Sequence, residues 1–448
     1  MKSRNVWKAL DWAFESLSSR IRAACASVKG MRLYKQSICR PSTLPNPALW
    51  ACVVCMLMMA GCRHRPAEPT PGIESPEQTW VRVLLFGNLR ECTVSSVSGL
   101  DVRDVDSGTV ATFRSDEPFA VRLSAGVLYV GEHRIGRDVL VRPQDPYVFE
   151  INDTPYRGYL RLRVLEEEQG FEAVNHVPLE SYLLGVVGAE MQSYWEPEAL
   201  KAQAVSSRTY CLYIKDRFGR DRTWDMTRSE STQMYGGLKA ETAMIRQVVE
   251  DTSGQILVCP GRMHERNVIF PAFYSSSCGG HTEAAENIFG GEPVASLCGV
   301  GCPYCANVAR RSHFYWKPVE MKMSEISERL LVRYPTLEKL EAITDFNVTK
   351  LGYKSRILRV ELIGKNGKND TLRGEDFRLS LDPTGRKIRS AIFSVEKRGS
   401  MVTFQNGLGF GHGVGFCQCG AQGMARQGKT YEQILDHYFP GSKRVKIE

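Results

Sequence analysis

The sequence predicts an α+β fold, with a β-rich N-terminal module followed by a mixed helix and strand body. Three observations carry that expectation. From Trp80 to about residue 168, apolar residues alternate with polar ones in short runs broken by Gly, Asp and Pro, the pattern of half-buried strands. From Val177 the period lengthens, and Leu179, Tyr182, Leu183, Val186 and Val187 fall on one helical face. Further on, strand-like and helical runs mix, and "TYEQILDHYF" reads as a closing helix with Thr430 and Gln433 placed for a capping box.

The elements follow in order. Residues 1–61 form a leader in which Arg32, Lys35 and Arg40 precede the apolar run "ALWACVVCMLMMAG". That run is shorter than the roughly 20 residues that span a bilayer, so it reads as a secretory signal. Met59-Ala60-Gly61-Cys62 resembles a bacterial lipobox, which makes Cys62 the expected lipidation site and the protein an extracytoplasmic, membrane-anchored lipoprotein; translation starting at Met31 would give this signal an ordinary length. A plain signal-anchor is the alternative. Residues 62–79 are a tether rich in Pro and Glu. Residues 80–170 supply the β-rich module, with strands such as "WVRVLLFG", "FAVRLSAGVLYVG" and "YLRLRVLEE". Residues 171–310 form the core, with one helix opening near Pro178 and another running from about Pro197 to Arg217. Residues 311–448 complete it, helical over 323–340 and mostly strand over 341–405.

The 448 residues are enough for two or three domains and a sizeable core. The net charge of +8 does not argue for nucleic-acid binding. Residues 1–61 hold nine Lys/Arg against two Asp/Glu, which leaves about +1 on the rest.

Three stretches could carry chemistry. In "VVGAEMQSYWEPEALKAQAVSSRTY", Glu190 sits among apolar neighbours at the seam between two helices. Partial dehydration would raise its pKa and suit a general acid. Lys201, Ala204 and Arg208 share a stripe of the next helix, which could turn two cations toward a groove; an acid that merely caps a helix or pairs with a cation is the alternative. In "GLGFGHGVGFCQCGAQGM", five glycines strip side chains from a loop that holds His412, allowing close approach of a ligand. No Gly-Lys-Ser/Thr follows, so this is not a phosphate loop. The third stretch, "LCGVGCPYCA", contains Cys-x3-Cys-x2-Cys. An iron–sulfur radical site, a glutaredoxin-like redox pair, disulfides and a structural zinc all compete for it. Zinc fits best, held by Cys302 and Cys305 with Cys278 and Cys417, and with Cys298 and Cys419 in reserve.

Together these stretches resemble the stage II sporulation protein D/amidase-enhancer family. The resemblance runs through "VNHVPLESYLLGVVGAEMQSYWEPEALKAQAVSSRTY", "STQMYGG", "DTSGQIL", "FYSSSCGGHTEAAENIFGG" and "GFGHGVGFCQCGAQGMARQGKTYEQILDHYFPG". It implies lytic transglycosylase action on peptidoglycan, above all on glycan stripped of stem peptides, with Glu190 as catalytic acid and Arg208 in the same site. No catalytic cofactor is implied. Lys201 is then expected beside Arg208 on the muramyl carboxylate, Tyr235 and Tyr274 on sugar faces, and His281 and His412 along the groove. Some relatives enhance an amidase instead of cutting glycan, so a non-catalytic peptidoglycan-binding enhancer remains open. So does a metalloamidase using His281, His412 and Glu190. Cys417 and Cys419 depart from the family pattern, where many relatives have Ser-Gln-Tyr.

Overall fold

The computed structural model describes residues 79–113, 117–167, 169–261 and 267–447; the leader, Cys62 and nearly all of the tether lie outside the described residues. The chain is α+β. Two antiparallel-rich sheets come first. Across the larger, the order is Met226–Thr227, Trp80–Leu89, Phe171–Pro178, Tyr159–Val164, Asp138–Pro143, Leu100–Asp104 and Val110–Phe113. Across the smaller it is Thr154–Arg157, Val148–Ile151, Glu91–Ser95, Phe119–Ser124, Val127–Val130 and His133–Gly136. Val81, Val83 and Leu85 point inward on one strand, as do Leu160, Leu162 and Val164 on another, as the alternation requires. Phe171–Pro178 is buried on both faces. A doubly covered strand shows no alternation, which is why the pattern hides this one.

Two helices follow, α1 (Leu179–Glu190) and α2 (Pro197–Phe218). Pro178 is the N-cap of α1, one position before the first turn where the sequence pattern puts it. Most of α2 is buried through its middle, including Gln203, Ser206, Ser207 and Thr209. Ser206 and Thr209 return their hydroxyl protons to Ala202 O and Val205 O, which lets a polar helix sit in a core. Next comes α3 (Ala243–Asp251), and Gln255–Pro260 later pairs with the tail strand Lys443–Lys446.

Residues 316–404 enclose a second core around Ile326, Leu330, Phe346, Phe377 and Phe404. Here α4 (Met323–Arg333) gives way to a 3-10 turn, Pro335–Leu340, because proline cannot continue the α-helical ladder. The stretch expected to be mostly strand also contains α5 (Gly374–Leu381). Residues 407–447 then return to the first core as α6 (Gln418–Ala425) and α7 (Tyr431–Tyr438), the latter with the expected capping box.

A buried carboxylate ties the first strand to α2. Asp225 accepts from Arg82 N at 2.9 Å and from the Arg82 guanidinium at 2.7 Å, with Lys215 Nζ at 3.3 Å. Burial works against its charge, but the Arg82 hydrogen bonds and the charge of Lys215 hold its pKa below the ordinary value. Asp225→Asn is expected to cost about 3 kcal/mol, because two cations lose their buried counter-charge. The wild-type contribution is present above the ordinary aspartate pKa and lost as pH falls through the depressed folded value. The loss in the variant should therefore be large in neutral-pH urea melts and shrink in strong acid.

Candidate functional site

Glu190 is the last residue of α1, and its surroundings come from three separate parts of the chain. Gly185 and Gly188 remove side chains from the helix face before it. A Cβ at Gly188 would lie 2.0 Å from Ala240 O, and one at Gly185 would lie 2.5 Å from the Tyr235 ring. Segment 233–240 therefore rests directly on α1, with Gly236 N donating to Gly185 O. That contact delivers Met234 N to Glu190 Oε1 at 2.8 Å. Two-residue parallel pairing of Tyr274–Ser275 with Phe416–Cys417 sets Tyr274 beside the start of α6. The Tyr274 hydroxyl donates to Glu190 Oε1 at 3.2 Å, and Gln418 Nε2 reaches Oε2 at 3.4 Å.

Burial raises the Glu190 pKa, partly opposed by the donors from Met234, Tyr274 and Gln418, and the charge of exposed Glu230 adds to the rise. The C-terminal end of α1 also disfavours an anion there. The carboxyl is thus arranged to keep a proton and to stay hydrogen-bonded once it gives it up.

His412 forms the adjoining wall. Val414 N donates to its Nδ1 at 3.0 Å, so the ring proton lies on Nε2 and donates to Tyr274 O at 2.9 Å. Burial pushes its pKa down to about 4. This imidazole is neutral and orients Tyr274. From Tyr274 an aromatic strip runs outward through Tyr210, Phe273 and Phe289, with Phe289 5.2 Å from the His412 ring and 36% exposed.

Several expected residues lie elsewhere. Arg208 is fully buried and makes a bidentate pair with Glu180 (2.8 and 2.7 Å) while donating to Gln255 O. It braces the start of α1 against α2 and the strand Gln255–Pro260. Lys201 pairs with Asp251 at 2.9 Å and with Glu198 at 3.3 Å. Tyr235 is buried, donating to Asn175 Oδ1 at 3.0 Å, and offers no sugar-stacking face. Tyr274 does reach the site, but its hydroxyl is committed to Glu190. His281 stacks on Tyr353 at 3.8 Å. Among the described residues, His281, His412 and Glu190 do not form a metal-ligating group.

The four cysteines do converge. Cys278, Cys302, Cys305 and Cys417 are buried, and their sulfurs all lie within 4.8 Å of one another. Cys278 and Cys305 are 3.8 Å apart. Hydrogen bonds from Cys278 and Cys305 lower the Cys302 pKa, while the same network pushes that of Cys278 up. This set could hold a metal ion. Cys298 is exposed and Cys419 buried, both outside the group.

Sequence reasoning overlooked Gln418, Met234 N, Gln203 and Gln233. Gln418 also contacts Gln203 Oε1 at 3.3 Å, and Gln233 accepts from Tyr182 and donates to Ser207 O. Their signal was present: glutamines at buried positions of "QCGAQG", "KAQAV" and "STQMYGG" need partners.

Residues 167–259 match a family model described as stage II sporulation protein, and residues 303–415 match one described as a domain of unknown function. The chain is 31% identical over 322 residues to an uncharacterized protein of Brachyspira hyodysenteriae, covering 71% of this chain and 79% of that one. It is 30% identical over 285 residues to stage II sporulation protein D of Bacillus amyloliquefaciens, covering 60% and 74%. With the amidase enhancer of Bacillus subtilis it shares 26% identity over 294 residues, 58% of this chain but 40% of that protein.

Arg208→Met tests the structural assignment of that arginine. Loss of its charged hydrogen bonds should lower stability by about 2 kcal/mol, read by denaturant unfolding.

Proposed function

The chain belongs to the stage II sporulation protein D family, and from that premise we propose that it is a lytic transglycosylase cleaving the MurNAc–GlcNAc bond of peptidoglycan. A cell-wall role follows from the family and from the likeness to an amidase enhancer. The observation that carries the finer reading is the Glu190 carboxyl: one acid of raised pKa, reached by three donors, beside a strip of partly exposed aromatic rings.

Hydrolytic glycosidases use two carboxylates, one as acid and one as nucleophile or water-activating base. A transglycosylase manages with one because the sugar supplies the nucleophile. Protonated Glu190 gives its proton to the bridging oxygen as the bond from that oxygen to C1 of MurNAc breaks. The carboxylate left behind accepts the proton of the muramyl 6-hydroxyl while O6 bonds to C1. The products are a 1,6-anhydro end and a free GlcNAc 4-hydroxyl, with no water consumed. Tethering the nucleophile makes ring closure intramolecular. Met234 N, Tyr274 and Gln418 stabilise the transient carboxylate, and Phe289 offers a ring face for a sugar. Arg208 and Lys201, paired elsewhere, have no part in holding the muramyl carboxylate.

The rival reading, a non-catalytic glycan-binding enhancer of a cell-wall amidase, has the amidase-enhancer likeness in its favour. An extracytoplasmic location suits both readings, and lipid attachment at Cys62 would keep the body close to its wall substrate. No helix among the described residues is long and apolar enough to cross a membrane.

The four-cysteine group suits a structural zinc. Zn–S bonds of about 2.3 Å at tetrahedral angles set sulfurs about 3.8 Å apart, the spacing of Cys278 and Cys305; a disulfide requires about 2.05 Å. Purified protein should hold one zinc per chain, with these four thiols unreactive until the metal is removed. Chelation should then lower the melting temperature and expose all four to thiol reagent. Metal-free protein with two disulfides by mass would overturn the zinc assignment.

Glu190→Gln should reduce release of anhydromuropeptides from purified stripped glycan by about 10²–10⁴-fold, the usual worth of a general acid, while pull-down of insoluble glycan persists. The sign of the pH dependence follows from the raised pKa. The acid is loaded below that value, so wild-type rate should fall as pH rises through it. Mass spectrometry decides between readings: wild type that binds glycan yet releases no anhydro product is an enhancer, and products heavier by one water indicate hydrolysis.

A further inference from the structure

Among the described residues, Arg356 is a buried cation without an ion pair. It is 1% exposed, its Nη2 donates to Cys278 O at 2.7 Å, its Nη1 donates to His412 O at 3.2 Å, and its Nε has no partner. The acidic groups whose ionised forms favour its charge are Cys278, Glu375 and Glu283. Of the two carboxylates, Glu375 has a matching cation, while Glu283 is held by neutral donors alone among the described residues. Glu375 is chelated by Arg378, and Glu283 accepts from Asn287, Ala284 N and Tyr353 N. A guanidinium stays charged in a protein, and an uncompensated one in a core costs several kcal/mol. Four neutral thiols, or two disulfides, would leave it the charge of Glu283, with which it makes no ion pair among the described residues. Four thiolates around a divalent ion carry a net charge of −2 and put counter-charge at the residue whose carbonyl Nη2 holds.

We infer that Arg356 is the counter-charge of the four-cysteine metal centre and the positioning residue that couples that centre to the wall of the candidate active site. One guanidinium grips the backbone of a thiol ligand with one nitrogen and the backbone of His412 with the other. From there the His412 ring holds Tyr274 O, and the Tyr274 hydroxyl holds Glu190. Gly413 makes the arrangement feasible: at φ +70°, it lies where a Cβ would be 2.3 Å from Arg356 Nη2. Metal occupancy thereby becomes a condition for ordering the Gly-His-Gly loop, although the centre contributes nothing to bond cleavage. The inference rests on the metal reading above.

The test loads full-length wild type, Arg356→Met and Arg356→Lys with zinc and, separately, with cobalt(II). It measures metal release to a chelating dye, the thiolate-to-cobalt charge-transfer band, and amide exchange over residues 407–416. Arg356→Met should release metal at least about tenfold faster, the usual scale for losing an outer-sphere partner, and its loop amides should exchange faster. Arg356→Lys keeps the charge but not the two-pronged grip, so it should retain metal and the cobalt band while the loop loosens. Wild-type release and loop exchange in Arg356→Met would overturn the inference and leave the metal centre standing. Equal metal loss in both variants would overturn the counter-charge role, and so would failure of Arg356→Met to fold if Arg356→Lys folds but loses metal. Wild type that takes up neither ion overturns the metal reading and this inference together.

Discussion

The candidate site depends on one carboxyl group held where its charge is unwelcome. Glu190 ends α1, so the free carbonyls of the last turn and the loss of water both favour its protonated form. Three donors keep the ionised form within reach. Had an arginine completed the shell, the carboxyl would be locked as an anion and could not lend a proton near neutral pH. The cations that neighbour it in sequence are spent elsewhere: Arg208 on Glu180, Lys201 on Asp251 and Glu198.

Those same pairs explain how the acid is held still. Arg208 locks the start of α1 to α2 and to the strand after α3. At the other end, the glycine face of α1 admits segment 233–240 at backbone contact. The helix is thus fixed at both ends by interactions that leave its last side chain pointing at polar groups from distant parts of the chain.

The cysteine group serves the same arrangement from the opposite side. Cys278 lies four residues beyond Tyr274, and Cys417 directly precedes Gln418. A metal ion held by these two sulfurs with Cys302 and Cys305 would pin together the segments that bring Tyr274 and Gln418 to the carboxyl. A buried arginine, next in sequence to Ile357 of the second core, holds the same place. Among the described residues no cysteine sulfur hydrogen-bonds to Glu190, yet the sulfurs border both of the segments that supply its side-chain donors.

Local patterns in the sequence were enough to find α1 and α2, the alternating strands of the first module, the capped helix at Thr430, Glu190 as the unusual acid, and the four cysteines that meet. Each of these leaves a mark within a few residues: a period, a cap, or a side chain at odds with its neighbours. Phe171–Pro178 and α5 escaped because burial on both faces, or a short helix inside a strand-rich stretch, leaves no such mark. The partners of each charge were decided only by the tertiary structure. A helical stripe shows that Lys201 and Arg208 share a face but not what that face meets, and Tyr235 reads the same whether its ring is in a groove or a core. Pairing energies depend on contacts between residues far apart in the chain, so the arginine that looked catalytic is a brace, and the glutamine that looked like part of a loop holds the acid.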